Sequence, residues 1–393
     1  MHILVVTNLY PPQELGGYGR AMADFVWGLQ RLGHRVQVLC SDAPYLGSGG
    51  AGPSGEPVDR RLQLKGSFAR GVQHLHNHAG RLAVDQANAA LLQYWLDQDH
   101  WDGVLVGNLD LLGVEVLKPL LAASIPVLHH VGFVAPPFAP EQWPCSPHYT
   151  LVAASQAVRT SLLAVGLPVA QAPVVYPGAR VELFGPEAVG RALPPPPEGT
   201  FQRPLRVCFA GLLMASKGPH TVLEAVSELR GAGIHVQLTL AGGRFQHDYV
   251  QQLHSYVQQQ ALGEQVQWLG QLRRDQLARL FALQHVAVFP SLYPEAFGIV
   301  AAEAMASGLA LVSSGVGGAA ELFEPGVSGL NFRPGDCSDL ATQLGRLAGS
   351  PHLLQQLQRK GQERVRSLFS VMAAARQLEK LWFQEPTTMK VLL

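Results

Sequence analysis

The chain is short of charge: only 15% of its 393 residues are Asp, Glu, Lys or Arg, against roughly 25% in ordinary globular domains. Neither sign dominates, with 29 basic and 29 acidic side chains. That balance removes the overall field a nucleic-acid binder needs, so no nucleic-acid partner is expected. Cysteine is scarce as well. Cys40, Cys145, Cys208 and Cys337 are scattered with no Cys-x-x-Cys pair, which excludes a disulfide framework and reads as reduced, mostly buried thiols. Long apolar runs are missing too. The uncharged stretches Pro119–Pro140 and Ala304–Ala320 are interrupted by prolines and histidines or by glycines and serines, so no transmembrane helix is expected. The opening "MHILVVTNLYPP" is cut short by Asn8 and a Pro pair; it reads as a core strand, not a signal peptide. A cytoplasmic protein is expected, with room for a peripheral contact on the inner face of a membrane.

Hydrophobic residues are plentiful, at 47%, and the length exceeds the roughly 250–300 residues that one core usually supports. Two α/β halves emerge. The first alternates β-branched runs ("HILVVT", "RVQVLCS", "WDGVLVGN", "IPVLHHVG", "YTLVAAS", "APVVYPG") with helical stretches between several of them. The second restarts with "LRVCFAG" and continues through "HVQLTLAGG", "VQWLGQL" and "HVAVFPS". Such alternation predicts parallel sheets covered by helices. The spacing places a first domain over 1–185, a stiff Pro-rich linker over 186–204 and a second domain over 205–368, followed by a final segment over 369–393. "GSGGAGPSGE" reads as a flexible loop.

The residues suited to binding follow strands, where open parallel sheets hold their ligands. Gly16 and Gly17 open the first helix after the first strand. Lys217 and Gly218 do the same in the second half, with Pro219 as first helical residue. Adjacent glycines admit a ligand to the backbone, and amides at a helix start attract phosphate. Neither loop is a Walker or dinucleotide fingerprint, and each alone reads equally as a turn.

The stretch "LYPEAFGIVAAEAMASG" is more pointed. Glu295 is expected just before a helix that Phe297, Gly298 and Ile299 begin. Glu303 lies inside it among Ala301, Ala302, Ala304 and Ala306, small side chains that let another group approach. A carboxylate there is costly unless something binds it, and paired sugar hydroxyls suit a fixed carboxylate. Spacing alone leaves open a helix-dipole partner and a solvated face instead.

"PEAFGIVAAEAMASG" with "GVGGAAELFEPGVSGLNF" resembles the Glu-x7-Glu signature of the retaining glycosyltransferases of family 4, which have the GT-B fold. The resemblance spans nearly the whole chain, including "YPPQELGGYGRAMADFVWGLQRLGHRVQVL", "FAGLLMASKGPHTVLEAV", "LAGG", "WLGQL" and "FPSLYPEAFG" in the family's order. It implies two doubly wound Rossmann-like domains facing across a cleft. It implies Glu303 on the ribose hydroxyls of a nucleoside-diphosphate sugar and Glu295 on the transferred sugar, helped by the backbone of Phe297 and Gly298, with Ile299 among the donor-binding residues. Lys217 would neutralise the diphosphate, Gly16 and Gly17 would close over it, and Gly242 and Gly243 would lie near the base. "FSVMAAARQLEKLW" would be the helix returning to the first domain. Neither a metal nor another cofactor is implied; the nucleotide sugar is substrate, and the acceptor is a glycan, lipid or small molecule.

Two departures qualify the match. Many relatives carry an Arg where this sequence has Leu212, leaving Arg20 or Arg244 as candidates to compensate. The family's sugar-facing His is expected nearer Gly132; of His129 and His130, which must point to opposite faces of a strand, His130 is the candidate. Other features read blandly. His74, His76 and His78 form a polar surface, not a metal site. Arg60, Arg61, Lys65, Arg70 and Arg81 form a mildly basic solvated region, with an anionic acceptor or membrane as the alternative. Trp95, Trp101, Trp143, Trp268 and Trp382 read as packing. The function implied is retaining transfer of a sugar to an alcohol. The alternatives are a nucleotide-sugar epimerase or hydrolase, and a non-catalytic binding partner.

Overall fold

A computed structural model describes residues 1–69, 71–135, 138–185, 187, 190, 194–243 and 246–383. The chain divides into two compact units, Met1–Pro177 with Val371–Leu393, and Gly178–Ser370.

In the first unit the β-branched runs form β1 (His2–Val6), β2 (Arg35–Ser41) and β3 (Val58–Leu62). A hairpin of β4 (Gly66–Ser67) and β5 (Gln73–His74) follows, then β6 (Gly103–Val106), β7 (Val127–Val131) and β8 (Tyr149–Ala153). Apart from the antiparallel hairpin, the pairs are parallel, and the sheet runs β3-β2-β1-β6-β7-β8. The helices are α1 (Tyr18–Arg31), α2 (His78–Gln98), α3 (Leu117–Ala122) and α4 (Gln156–Ala164). The Ser155 hydroxyl accepts the Val158 amide and caps α4, satisfying one of the orphan donors at a helix start.

The second unit repeats the plan. Its strands are β9 (Leu205–Ala210), β10 (Val236–Ala241), β11 (Val266–Gly270), β12 (Val286–Phe289), β13 (Ala310–Ser313) and β14 (Leu330–Asn331). They run β11-β10-β9-β12-β13-β14, all parallel. Its helices are α5 (Val181–Phe184), α6 (Pro219–Gly231), α7 (His247–Gln259), α8 (Arg274–Phe281), α9 (Ile299–Ala306), α10 (Cys337–Gly349) and α11 (Pro351–Leu368). Leu205 and Val207 on β9, Leu238 and Leu240 on β10, and Leu223, Leu344 and Leu357 from the covering helices pack into its core. In each sheet the direction of strand addition reverses once, between β1 and β6 and between β9 and β12. Beside such a reversal the chain leaves adjacent strands in opposite directions and opens a crevice for ligands.

Three expectations are corrected. "APVVYPG" is not a full strand: Val174 makes only an isolated bridge with Ala153, because the prolines at 173 and 177 lack the amides a ladder needs. The Pro-rich run is not the connection between units. His285 Nε2 lies 3.0 Å from the Pro195 carbonyl, and Arg203 donates to that of Pro196 at 2.6 Å, so these bonds tie the run to the second unit. The chain instead passes between units at Pro177/Gly178 and again at Ser370/Val371, earlier than the expected boundary at residue 185. The last helix, α12 (Val371–Phe383), belongs to the first unit. There Ala374, Leu378 and Trp382 join Phe25, Val26 and Leu29 in one core. A Cβ on Gly28 would come within 2.7 Å of Ala375 Cβ, so a larger residue would push α1 and α12 apart. Residues 384–393, within the expected final segment, lie outside the described residues.

Candidate active site

The second sheet gathers charge at its point of reversal. The loop after β9 carries Lys217, and the loop after β12 carries Glu295. Lys217 Nζ donates to Glu295 Oε1 at 2.6 Å. The Ser291 hydroxyl donates to the same carboxylate oxygen. Both side chains keep some surface, 30% for Lys217 and 15% for Glu295, so a ligand can reach them.

Backbone bonds fix this pair. The Leu292 amide donates to the Ser216 carbonyl at 2.8 Å, joining the two loops beside Lys217. Ser314 Oγ donates to the Ser291 carbonyl at 2.7 Å. The "GVGG" segment clamps Glu295 itself: its amide donates to Val316 O at 3.2 Å, and its carbonyl accepts from Gly318 N at 2.7 Å. Gly317 has φ +68°, and a Cβ there would sit 2.5 Å from Glu295 O; only glycine fits. Gly218 is equally constrained, with φ +68° and a would-be Cβ 2.2 Å from Pro290 O. It caps α6, whose first residue is Pro219.

Glu303 lies where the helical reading put it, in α9, with Glu295 preceding the helix. Its side chain is fully buried, and α9 is apolar nearly all round, as a helix enclosed by neighbours must be. The group that approaches through the small side chains is Arg274, the first residue of α8. Its Nη2 and Nε lie 2.8 and 3.2 Å from Glu303 Oε1, and its guanidinium carbon sits 5.5 Å from the Phe184 ring centroid. Arg274 is 18% exposed. The sequence reading missed it, although a signal was present: a cation at a helix start opposes the macrodipole, so its placement implies a carboxylate partner.

The other expected residues fall into two groups. In the second unit, Gly242 and Gly243 follow β10 against the loop after β9: a Cβ on Gly242 would lie 1.7 Å from Gly211 O, and Leu213 N donates to Gly243 O at 2.9 Å. Phe297 is buried, with its ring 5.6 Å from that of Phe369. Gly298 caps α9 at φ +102°, and Ile299 is its first residue. In the first unit, Gly16 takes φ +70° and Gly17 caps α1, at the end of the sheet where β1 finishes.

His130, the candidate on β7, lies inside the first unit. Both histidines are completely buried. They do face opposite ways, but His130 Nε2 meets the Val175 carbonyl at 2.8 Å and Nδ1 meets Tyr18 Oη at 3.0 Å, with Phe25 edge-on at 4.8 Å. Both its nitrogens are bonded inside the unit, as in a framework group. His129 Nδ1 pairs with Tyr149 Oη at 2.7 Å. Burial holds both rings neutral, pulling their pKa values down to about 3 for His129, where His130 adds to the effect, and about 4 for His130.

Of the two candidates to compensate at Leu212, Arg20 is paired with Glu14 at 3.1 Å in the first unit, and Arg244 lies outside the described residues. The basic region is largely committed: Arg60 donates to the Pro11 and Tyr10 carbonyls at 2.7 and 2.9 Å. Arg61 binds Asp59, and Lys65 binds Asp85 at 2.5 Å. Arg70 lies outside the described residues. His74, His76 and His78 are exposed. Among the described residues there is no metal-binding cluster of His, Cys, Asp and Glu, and no helix long and apolar enough to cross a membrane. Cys40 and Cys208 are buried, while Cys145 is exposed.

Two doubly wound units, each with one reversal of strand order, have the fold of the GT-B glycosyltransferases. Residues 195–364 match the family Glycosyl transferases group 1, which supports a transferase enzyme. Along nearly its full length it is 28% identical to glycogen synthase of Mycobacterium tuberculosis, covering 95% of this chain and 92% of that one. A D-inositol 3-phosphate glycosyltransferase of Streptomyces bingchenggensis is 30% identical over 47% of this chain and 41% of its own. Among solved structures, Anabaena Alr3699/HepE in complex with UDP and glucose superposes with a TM-score of 0.71 at 21% identity, covering 97% of this chain and 99% of that one. A glycosyltransferase from Rickettsia africae reaches 0.77 at 17% identity, covering 98% and 99%.

Proposed function

We propose that the protein transfers a sugar from a nucleoside-diphosphate sugar, with retention at the anomeric carbon, to a hydroxyl of a glycan, lipid or small-molecule acceptor. The observation that carries this reading is the Lys217–Glu295 pair, 2.6 Å apart at the reversal of the second sheet, with the buried Glu303 on the helix that follows. Lys217 supplies positive charge for the departing diphosphate, and Glu295 fixes its position and binds the transferred sugar. The family's Glu303 role, holding the ribose hydroxyls, is retained with Arg274 locking the carboxylate. The UDP and glucose in the Anabaena structure support the donor class.

In this reaction the acceptor oxygen bonds to the anomeric carbon as that carbon's bond to phosphate oxygen breaks. The acceptor proton passes to the departing diphosphate on the same face. Positive charge and positioning are then the protein's contribution, and no step is assigned to a metal or another cofactor.

The test is to incubate the protein with nucleotide sugars and candidate acceptors and follow the anomeric signals by NMR. Nucleoside diphosphate released together with a glycoside of the donor's own anomeric configuration is the expected result. Inverted product, free sugar or an epimerised donor would overturn it.

A further inference from the structure

The first unit has a cavity of about 480 Å³ at the edge of its sheet opposite the glycine loop. It opens where β1 and β2 begin and before β6. A five-residue strand separates the two edges by about 16 Å. Its lining includes Gln30, Arg35, Trp95, Gln98, Asp99 and Trp101. None of these belongs to the transfer site.

The walls are held in place before any ligand arrives. Trp95 Nε1 donates to Asp59 Oδ2 at 2.7 Å, and Trp101 Nε1 donates to the Trp95 carbonyl at 2.9 Å. His2 stacks on Trp101 with ring centroids 4.1 Å apart and touches Asp99 at 3.2 Å. Trp95 is half-buried, whereas Gln98, Asp99 and Arg35 are exposed and keep bonding capacity.

Charge decides which ligand fits. Arg35 and Asp99 sit 3.9 Å apart and offset one another, His2 meets Asp99 at 3.2 Å and His34 meets Glu379 at 2.9 Å, and no lysine lines the space among the described residues, so no surplus of positive charge invites a phosphate. Val36 and Pro57 are the only aliphatic lining, too little for an acyl chain. What remains is planar hydrogen-bonding groups (three carboxamides, a carboxylate, a guanidinium and the rings of His2 and His34) beside indole. Planar groups with paired donors or acceptors match vicinal hydroxyls, and an indole gives the C–H face of a sugar ring an apolar surface with a polar edge. The volume lies in the usual range for small-ligand sites, about 300–1,000 Å³.

We propose that this cavity is a second carbohydrate site, holding a neutral sugar unit of a glycan away from the place of transfer. It does not rest on the donor assignment, because binding is read without any nucleotide sugar. The intact protein is titrated with neutral oligosaccharides of glucose, mannose and galactose, using saturation-transfer NMR and calorimetry. At least one series binds, and Trp95→Ala and Gln98→Ala each weaken it about tenfold, equivalent to about 1.4 kcal/mol. Gln98 is exposed, so its variant keeps the parent's thermal midpoint and decides the matter even if Trp95→Ala fails to fold. Three results overturn the proposal: no oligosaccharide binds, Gln98→Ala and Asp99→Asn bind as tightly as the parent, or the same variants lose inorganic phosphate instead.

Discussion

β1 and β6 lie side by side in the first unit, and β9 and β12 do so in the second, yet the polar groups near these junctions differ in kind. The first unit combines amides and neutral rings with one partly buried ion pair, Arg20 and Glu14 in the loop and helix after β1. Asn108 Oδ1 accepts the Gly132 amide at 3.1 Å, Asn8 donates to Asp110, and the buried histidines of β7 are held uncharged. The second unit buries ions in pairs, Lys217 with Glu295 and Arg274 with Glu303. One strand order thus supports a frame of mostly neutral bonds near one junction and a site with two ion pairs, one on the fully buried Glu303, near the other. Fold alone assigns neither chemistry. The two units should therefore fail by opposite means.

The largest effect is expected at Arg274. Arg274→Leu removes the guanidinium paired with the fully buried Glu303 carboxylate and should cost about 3–5 kcal/mol of stability, read from the urea midpoint. Glu303→Ala should cost clearly less, because Arg274 keeps a route to water and the carboxylate does not. The double variant Arg274→Leu/Glu303→Leu should recover most of the loss; additive losses would show that the two do not act as a pair. Next comes Lys217→Ala, for which turnover should fall about 10²–10³-fold, as for other groups that stabilise developing negative charge. A variant with the parent's rate would remove Lys217 from the diphosphate. Glu303→Ala should weaken donor binding by about 1.5–3 kcal/mol, the value of two bonds to ribose hydroxyls. Calorimetry showing parental affinity in the folded variant would reject that role.

How much of this was legible beforehand follows from where each signal resides. Strands buried on both faces read as β-branched runs, so β1, β2, β9, β10 and β12 were visible, and with them the loops carrying Gly16, Lys217 and Glu295. The passage between units was misread because proline stiffness is a local property. The bonds from His285 and Arg203 that tie Pro195 and Pro196 down come from residues up to 90 positions away. The burial of His130 was hidden for a related reason. Alternation shows that neighbouring residues face opposite ways, but in a sheet covered on both sides each face is interior. Arg274 was hidden because its partner is 29 residues distant; only its unfavourable place at a helix start hinted at it.

Acid should attack the neutral frame. For each histidine the folded pKa, about 3 or about 4, lies below an unfolded value near 6.5. Between those limits the unfolded chain binds more protons, so stability falls as pH drops from 6.5 towards 4 and is flat above 6.5. At pH 5 the loss should be about 2 kcal/mol per histidine, seen as a lower urea midpoint than at pH 7.5. Replacing His129 with Gln should flatten the slope over that window. An unchanged slope would mean the ring is solvated in the native protein.

The smallest effect sharpens the same contrast. Tyr18 is the first residue of α1, directly after Gly17, and its hydroxyl meets both His130 Nδ1, at 3.0 Å, and the His130 carbonyl. Its ring fills the space over Gly132, where a Cβ would lie 2.2 Å from Tyr18 Cε2. Tyr18→Phe keeps that packing and deletes only the hydroxyl, so about 1 kcal/mol of stability should be lost. The deletion leaves His130 Nδ1 buried without this partner, so the variant should also respond differently to acid between pH 6.5 and 4. If His130 were instead a group that meets substrate, Tyr18→Phe would shift the pH profile of turnover while leaving the pH dependence of unfolding as it was. The two titrations, run on one variant, separate a frame from a catalyst.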